Sequence, residues 1–273
     1  ISSLQPKAGV DINPETQGDI VMKIGAQMYT LRESCGTPDE IARSLEKVEA
    51  MGYDAIQGSS AGFNTLDEAE LRQIKKALDD NGLACVVTHE SLDNMRDQTE
   101  AVITKHRILD CAYTAIGGTL FGQTGTVSDW ETFSKEYSSI TATLHEAGIR
   151  AGYHNHSHEF QILEYGSTPM EVMLKHFEPH VWIELDVYWV AHGLANPALW
   201  IDAIAASGKG RIPCVHYKDG AVDADRNHVM LPVGDGNLDW SGINAASANA
   251  GVEWALVERD SGPHEPFEAL QRS

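Results

Sequence analysis

The sequence predicts an α/β protein, a (β/α)8 barrel built as a single domain. From residue 22 onward, short apolar segments rich in β-branched residues alternate with amphipathic segments. This alternation predicts parallel strands that are joined by helical crossovers. Eight such units in about 250 residues fit a closed eight-stranded barrel. An open doubly wound sheet is the alternative, but no G-x-G-x-x-G motif follows the first predicted strand.

The individual elements follow from apolar periodicity and from start and stop signals. The first helix begins at Pro38 with acidic residues in its first turn and ends before Gly52. The second has Leu71, Ile74 and Leu78 at helical spacing. The predicted strands are 23–29, 53–57, 83–90, 113–118, 149–156, 181–188, 211–219 and 252–260. The predicted helices are 37–52, 66–82, 95–111, 128–148, 168–177, 196–208, 239–251 and 265–273.

Residues 1–21 differ from the rest of the chain because they are polar and rich in turn-forming residues. They lack the charged and apolar regions of a signal peptide. We expect an artificial or flexible N-terminal arm here, with the natural chain starting at Met22. The barrel domain is then predicted to occupy residues 22–273.

The composition argues against several classes of protein. The chain has 40 acidic and 20 basic residues, a formal net charge of −20, so its average field repels a phosphate backbone. No apolar run approaches the roughly 18 residues that a membrane span needs. The four cysteines show no C-x-x-C spacing and lie in or near apolar runs, which favours free thiols in a cytoplasmic protein. We therefore expect neither nucleic acid nor membrane as a partner, and a small molecule as the ligand.

Polar residues concentrate at the carboxyl ends of the predicted strands, where (β/α)8 barrels place their active sites. The strands are apolar until their last residues and then become ionisable. In strand order, these residues are Gln27, Tyr29 and Arg32; Gln57; His89 and Glu90; Gly117 and Gly118; His154, Asn155, His156 and Glu159; Asp186, Tyr188 and Trp189; His216 and Lys218; Glu258 and Arg259.

Three of these residues indicate a metal site. Asp186, His216 and Glu258 come from successive strands, and their oxygen and nitrogen atoms suit a divalent cation such as Mn²⁺, Mg²⁺, Co²⁺ or Zn²⁺. A fourth ligand is expected from the fifth strand, whose end reads HNHSHE. Pairing of the two carboxylates with neighbouring basic residues is the alternative interpretation.

A Gly-rich segment at 232–240, PVGDGNLDW, is similar to a phosphate-binding loop. It lacks the following Lys-Ser/Thr and a preceding strand, so we interpret it as a loop that uses glycine at strained positions.

Seven segments together resemble the xylose isomerase-like TIM barrels, and within them the sugar phosphate isomerase/epimerase group. They are IGAQMYTLR, MGYDAIQ, YHNHSHEF, ELDVYWV, VHYKDG, VGDGNLDW and LVERD, in this order along about residues 22–270. The resemblance implies a divalent metal, with Mn²⁺ favoured, held by Glu, Asp, His and Glu. Asp186, His216 and Glu258 match three of these positions. Endonuclease IV-type relatives use a three-zinc cluster on nucleic acid, which the net charge disfavours.

The fifth strand departs from the family pattern, because many relatives have Glu where this chain has His154. We assign Glu159 as the first metal ligand, with His156 as its competitor. This assignment leaves His154 for proton transfer or substrate binding. A second departure is Gln57, where relatives commonly have Glu.

The resemblance implies a sugar isomerase or epimerase that removes an α-proton through a metal-stabilised enediolate. Glu258 is one acid/base group and Glu159 or His154 the other. Substrate binding is assigned to His89, His156, Trp189, Lys218 and Gln57. A lyase acting on 3-keto-glycosides, including C-glycosides, by the same proton abstraction followed by β-elimination is the first alternative. A non-catalytic sugar-binding subunit is the second, and a homo-oligomer or a partner subunit is compatible with each.

Overall fold

The computed structural model of the protein describes residues 22–59, 61–117 and 125–273. The predicted arm at 1–21 and Gly118, at the end of the fourth predicted strand, lie outside the described residues. Within them the strands are β1 (Lys23–Gln27), β2 (Ala55–Gly58), β3 (Ala84–His89), β4 (Tyr113–Ile116), β5 (Arg150–His154), β6 (Trp182–Asp186), β7 (Cys214–Tyr217), β8 (Asp219–Val222), β9 (His228–Leu231) and β10 (Trp254–Val257).

Eight of these strands close into a parallel barrel, which confirms the predicted fold class. The order around the barrel is β1-β10-β7-β6-β5-β4-β3-β2, so neighbours along the chain are neighbours in space, apart from an inserted hairpin. The hairpin consists of β8 and β9, which pair antiparallel between β7 and the following helix. The sequence did not predict this hairpin.

Helices surround the barrel in the expected order. They are α1 (Pro38–Ala50), α2 (Glu68–Asp80), α3 (Leu92–Asp97), α4 (Thr99–Leu109), α5 (Val127–Glu146), α6 (Pro169–His176), α7 (Val187–His192), α8 (Pro197–Ala206), α9 (Trp240–Ala250) and α10 (Pro266–Arg272). Short 3-10 helices lie at Met28–Ser34, Ala61–Asn64, His158–Phe160 and Glu164–Gly166. None of the helices in the described part of the chain has the length and apolarity to cross a membrane.

For two of the predicted elements whose ends differ in the structure, the backbone shows the cause. The helix predicted at 95–111 is divided into α3 and α4 at Gln98, whose φ of −131° and ψ of 34° are not helical. The strand predicted at 181–188 ends at Asp186, where α7 begins. The Asp186 side chain caps that helix by accepting a hydrogen bond from the Trp189 amide at 3.0 Å. An aspartate at an N-cap position stops a strand and starts a helix in the same residue.

The barrel interior changes from apolar to polar along β6. Trp182, Glu184 and Asp186 lie two residues apart and therefore face the same side of the strand. Trp182 packs in a buried cluster with Val87, Ala115, Cys214 and Leu256. Because a Cβ at position 152 would lie 2.4 Å from the Trp182 ring, the neighbouring strand carries glycine there. The tryptophan thus closes the barrel interior beneath the two carboxylates.

Candidate active site

Four of the predicted strand ends meet at the carboxyl end of the barrel. His154 is the last residue of β5, Asp186 the last of β6, and Glu258 directly follows β10. His216 lies in β7 with its Cα in register with that of Asp186. One ligand atom from each of these four residues lies within 4.8 Å of the ligand atoms of the other three. The structure therefore brings His154, rather than Glu159, to the predicted Asp–His–Glu group.

A second group with metal-ligating side chains lies beside the first and shares two members with it. It consists of His89, His154, Glu184 and His216. Glu184 is fully buried, and its two oxygens accept hydrogen bonds from His89 Nε2 at 2.6 Å and from Gln57 Nε2 at 2.9 Å. A weaker bond comes from Cys214 Sγ at 3.4 Å. Because these donors already satisfy Glu184, we interpret this second group as a hydrogen-bonded network that supports the first.

Gln57 connects the two groups and determines the orientation of His216. Gln57 donates through Nε2 to Glu184, so its Oε1 is left to accept from His216 Nε2 at 2.7 Å. The other ring nitrogen, Nδ1, lies 2.9 Å from Glu258 Oε2. Burial lowers the pKa of His216, but the carboxylates of Glu184 and Glu258 outweigh burial and raise it to about 10. Gln57 has no exposed surface and contacts network residues, not the cavity assigned below to substrate.

Lys218 neutralises the carboxylates of the first group. Its buried Nζ lies 2.8 Å from Glu258 Oε2, 3.0 Å from Asp186 Oδ2 and 3.1 Å from Asp260 Oδ2. Although burial disfavours the ammonium, these three carboxylates raise the pKa of Lys218 above its ordinary value. Burial raises the pKa of Asp186 to about 6 against the attraction of Lys218. Burial would raise the pKa of Glu258 too, but Lys218 and His216 lower it below the usual range.

In the described part of the chain, His154 and His156 each have an unpartnered Nδ1, but only His154 belongs to the first group. His154 is buried, and its Nδ1 has no hydrogen-bond partner among the described residues. Burial and the neighbouring His216 hold the pKa of His154 well below its ordinary range. Burial lowers the pKa of His156 to about 4, so both imidazoles are neutral near pH 7. The His156 ring packs 5.4 Å from that of Trp189, centroid to centroid. A neutral, unpartnered nitrogen such as His154 Nδ1 is available to a cation.

Glu159 has a different environment from the one that we expected. Its carboxylate accepts hydrogen bonds from Tyr153 Oη at 2.7 Å and from the His156 amide at 2.9 Å. It also lies 3.0 Å from His158 Nε2. These contacts fold the segment after β5 back onto the strand, and Glu159 is absent from both metal-ligating groups found among the described residues.

A cavity of about 590 Å³ opens over this end of the barrel. Five of the predicted site residues line it: His89, His154, His156, Lys218 and Glu258. Sequence reasoning pointed to strand ends but did not assign the other described lining residues, namely Gln27, Tyr29, Ser59, Asn64, Glu90, Ser91, Asn94, Gly117 and Asp260. Trp189 and Gln57 are not among the lining residues, so the structure does not place them at the cavity surface where we assigned them to substrate.

The Gly-rich loop at 232–240 does not bind an external anion through its amides, because a carboxylate of the chain already occupies them. Buried Asp219 accepts hydrogen bonds from the amides of Gly234 at 2.9 Å and Gly236 at 3.1 Å, and from Trp240 Nε1 at 2.7 Å. Gly234 has a φ of 92°, and a Cβ at position 236 would lie 2.1 Å from Asp219 Oδ1. The interpretation as a structural loop agrees with this geometry, but the expectation that no strand precedes it was wrong, because β9 ends at Leu231 directly before the loop.

Comparisons with solved structures find the same barrel in many proteins of low sequence identity. A sugar phosphate isomerase/epimerase from Parabacteroides distasonis is 22% identical, with a TM-score of 0.73 over 95% of this chain and 93% of its own. An L-ribulose 3-epimerase is 17% identical, with a TM-score of 0.65 over 92% of each chain. The IOLI protein, whose structure contains a zinc atom, is 16% identical, with a TM-score of 0.63 over 92% of this chain and 95% of its own.

Among curated proteins, no relative matched the chain. The structural similarities establish the fold, and the sequence itself establishes the family. The family model described as "Xylose isomerase-like TIM barrel" matches residues 45–272, which include all four residues of the first metal-ligating group. The chain therefore belongs to the xylose isomerase-like TIM barrel family.

Proposed function

We propose that the protein is a divalent-metal-dependent sugar isomerase or epimerase. The observation that supports this most directly is the group His154, Asp186, His216 and Glu258, of which His154 and Glu258 line the cavity of about 590 Å³. The group lies at the carboxyl end of the barrel, where enzymes of this fold have their active sites. The name of the L-ribulose 3-epimerase neighbour supports a reaction of the same class.

The side chains fit a divalent cation. Two imidazoles and two carboxylates form a nitrogen and oxygen donor set without thiolate, which is compatible with Mn²⁺, Mg²⁺, Co²⁺ or Zn²⁺. We favour Mn²⁺ because the family resemblance implies it. The unpartnered His154 Nδ1 and the neutral state of that ring favour His154 over Glu159 as the fourth ligand. When bound, the cation would polarise a sugar carbonyl and stabilise the negative charge that develops as the α-proton leaves.

The protein's own groups would bind the sugar and move the proton. Glu258 stays ionised at neutral pH and faces the cavity, so we assign proton abstraction to its carboxylate. His89 and His156 line the same cavity and are placed to bind hydroxyl groups or to return the proton. Lys218 holds the carboxylates together until the cation and substrate enter.

A lyase is the second candidate, because the same cavity offers two imidazoles besides Glu258. If Glu258 removes an α-proton, His89 or His156 could protonate a leaving group on the adjacent carbon, which turns isomerisation into β-elimination. A 3-keto-glycoside has the required carbonyl, α-proton and β-substituent. The neutral form of His156 must then be protonated in the substrate complex.

Incubation with keto-sugars and 3-keto-glycosides in deuterated water tests these functions. We expect deuterium at the α-carbon, dependent on added Mn²⁺ and lost on chelation and in Glu258→Gln. Deuterium without bond cleavage supports the isomerase or epimerase, and aglycone release supports the lyase. Neither product, in protein that contains stoichiometric metal, would leave the non-catalytic sugar-binding function and refute the proposal.

A further inference from the structure

Arg259, the residue after Glu258, carries a buried charge without a partner. Its side chain is 6% exposed, and neither Nε nor Nη1 has a hydrogen-bond partner among the described residues. The described part of the chain also contains no salt bridge to Arg259. An uncompensated buried guanidinium is costly, and proteins normally pair such a group with an anion.

The position of Arg259 is fixed by its other polar groups. Its backbone amide donates to Thr30 Oγ1 at 2.9 Å, and Nη2 donates to the carbonyl of His264. Gly262 leaves room for the guanidinium, because a Cβ there would lie 2.9 Å from Nη1. Two donor atoms of the planar guanidinium, Nε and Nη1, thus remain without an acceptor in the part of the chain that the structure describes.

Arg259 lines a cavity of about 300 Å³ that is separate from the one above the candidate metal ligands. Arg32 lines it too, held by its bonds to the carbonyls of Tyr29 at 3.0 Å and Asp260 at 2.8 Å. Of the three described acidic lining residues, Glu33 and Glu265 are exposed, so water screens their charges more than that of Arg259. The third, Asp260, pairs with Lys218 at 3.1 Å. The cavity therefore has its strongest unscreened charge at the buried guanidinium.

We propose that this cavity binds an oxyanion, a phosphate monoester or a carboxylate, through Arg259. The guanidinium is planar and permanently charged, and the N–H groups that it leaves free can donate to the oxygens of such a group. Asp260 lines both cavities, so an oxyanion here lies next to the sugar cavity. The sugar cavity itself contains no arginine among its described lining residues, and its Lys218 is occupied by three carboxylates.

Two sources of the oxyanion fit this chemistry, a terminal group of the substrate and a free small anion. Only the first source rests on the proposed function, since it requires a sugar in the neighbouring cavity. The binding site itself stands on the position of Arg259. Its test therefore needs neither metal nor turnover.

Isothermal calorimetry of the metal-free protein with inorganic phosphate, at constant ionic strength, tests the site. We expect phosphate to bind wild type and the matched control Arg107→Gln equally, since Arg107 is exposed on α4. Arg259→Gln should weaken binding at least tenfold, and Arg259→Lys, which keeps the charge and loses the planar guanidinium, should bind between the two. Urea unfolding verifies that both Arg259 variants are folded. Absence of phosphate binding in wild type, or equal binding in Arg259→Gln, overturns the site.

A ketohexose and its 6-phosphate, compared by the same method with Mn²⁺ present, distinguish the sources. Tighter binding of the phosphate ester, lost in Arg259→Gln while the neutral sugar is unaffected, assigns the site to a substrate terminus. Equal binding of the two sugars, together with phosphate binding at Arg259, assigns it to a free anion.

Discussion

Exchange of Gln57 and Glu184 tests the network that orients His216. The two side chains have the same shape and differ only in whether one terminal atom donates, so each position can carry the other's functional group. Gln57→Glu places a carboxylate oxygen where Nε2 now lies, 2.9 Å from Glu184 Oε1. Two full charges at this separation repel by about 6 kcal/mol at an effective dielectric constant of 20. The pair can reduce this energy by taking up a proton, so we expect a loss of about 2–4 kcal/mol in unfolding free energy.

The reverse change, Glu184→Gln, removes one acceptor from a site with two strong donors. Glu184 now accepts from Gln57 on one oxygen and from His89 on the other. A glutamine here must point its NH₂ group at one of these donors, which leaves a buried donor unsatisfied at a cost of about 1–3 kcal/mol.

The double exchange restores the pattern. Glutamine at 184 donates to glutamate at 57 and accepts from His89, and glutamate at 57 still accepts from His216 Nε2. We therefore expect the double variant to lie within about 1 kcal/mol of wild type, a coupling of more than 2 kcal/mol between the two sites. Urea unfolding of all four proteins measures this coupling, and Mn²⁺ calorimetry should show the same rescue. Additive losses in stability would refute the network as described.

Three further changes have defined outcomes. His154→Ala should weaken Mn²⁺ binding by more than about 100-fold, since loss of an outer-shell residue alone costs 10–100-fold in metal affinity. Glu159→Gln should bind Mn²⁺ like wild type. If calorimetry gives the reverse order, Glu159 is the ligand. Lys218→Met should lower the unfolding free energy of the metal-free protein by about 3–5 kcal/mol, because buried carboxylates lose their cation, and Mn²⁺ should restore most of this loss. Unchanged urea unfolding in the presence of chelator would contradict the ion pairs of Lys218 with these carboxylates. Burial lowers the pKa of His106 from 6.5 to about 4, so its neutral form favours the folded state fully above pH 6.5, and about 3 kcal/mol of unfolding free energy is lost as the pH falls through 4. His106→Asn should reduce the slope of unfolding free energy against pH in this range, and an unchanged slope would exclude His106 as its cause.

The barrel was predictable because the strands have a recognisable local pattern of apolar residues. Apolar residues fill the middle of most strands and polar or ionisable ones follow at most of their ends, so Asp186, His216 and Glu258 could be assigned to one edge without any distance information. The hairpin was not predictable in the same way. Val222 on β8 and His228 on β9 are exposed, so the pattern of burial that marks a strand is weak there.

Two features of the site could not be predicted from the sequence, because they depend on contacts between residues that are distant in the chain or on the path of a loop. Glu184 lies two residues before Asp186 and inside the barrel, where a charged residue is unexpected, and only the donors from other strands explain it. The choice between His154 and Glu159 depends on how the chain turns after β5. Spacing along the sequence treats both as candidates, whereas the bonds from Tyr153 and the His156 amide hold Glu159 away from the group.

The hydrogen bonds of the Asp219 carboxylate indicate where this chain can accept insertions. The carboxylate ties the Gly-rich loop to the residue that follows Lys218, so residues 219–240 are held by their own internal contacts. The tip of the hairpin, 223–227, is exposed and lies between two ends that are already fixed. Insertions at this tip should leave His216 and Lys218 in place, since their positions depend on β7 and on buried partners. The segment is thus a natural site for grafting or lengthening a loop over the barrel, and for changing what the rim recognises without rebuilding the reactive centre.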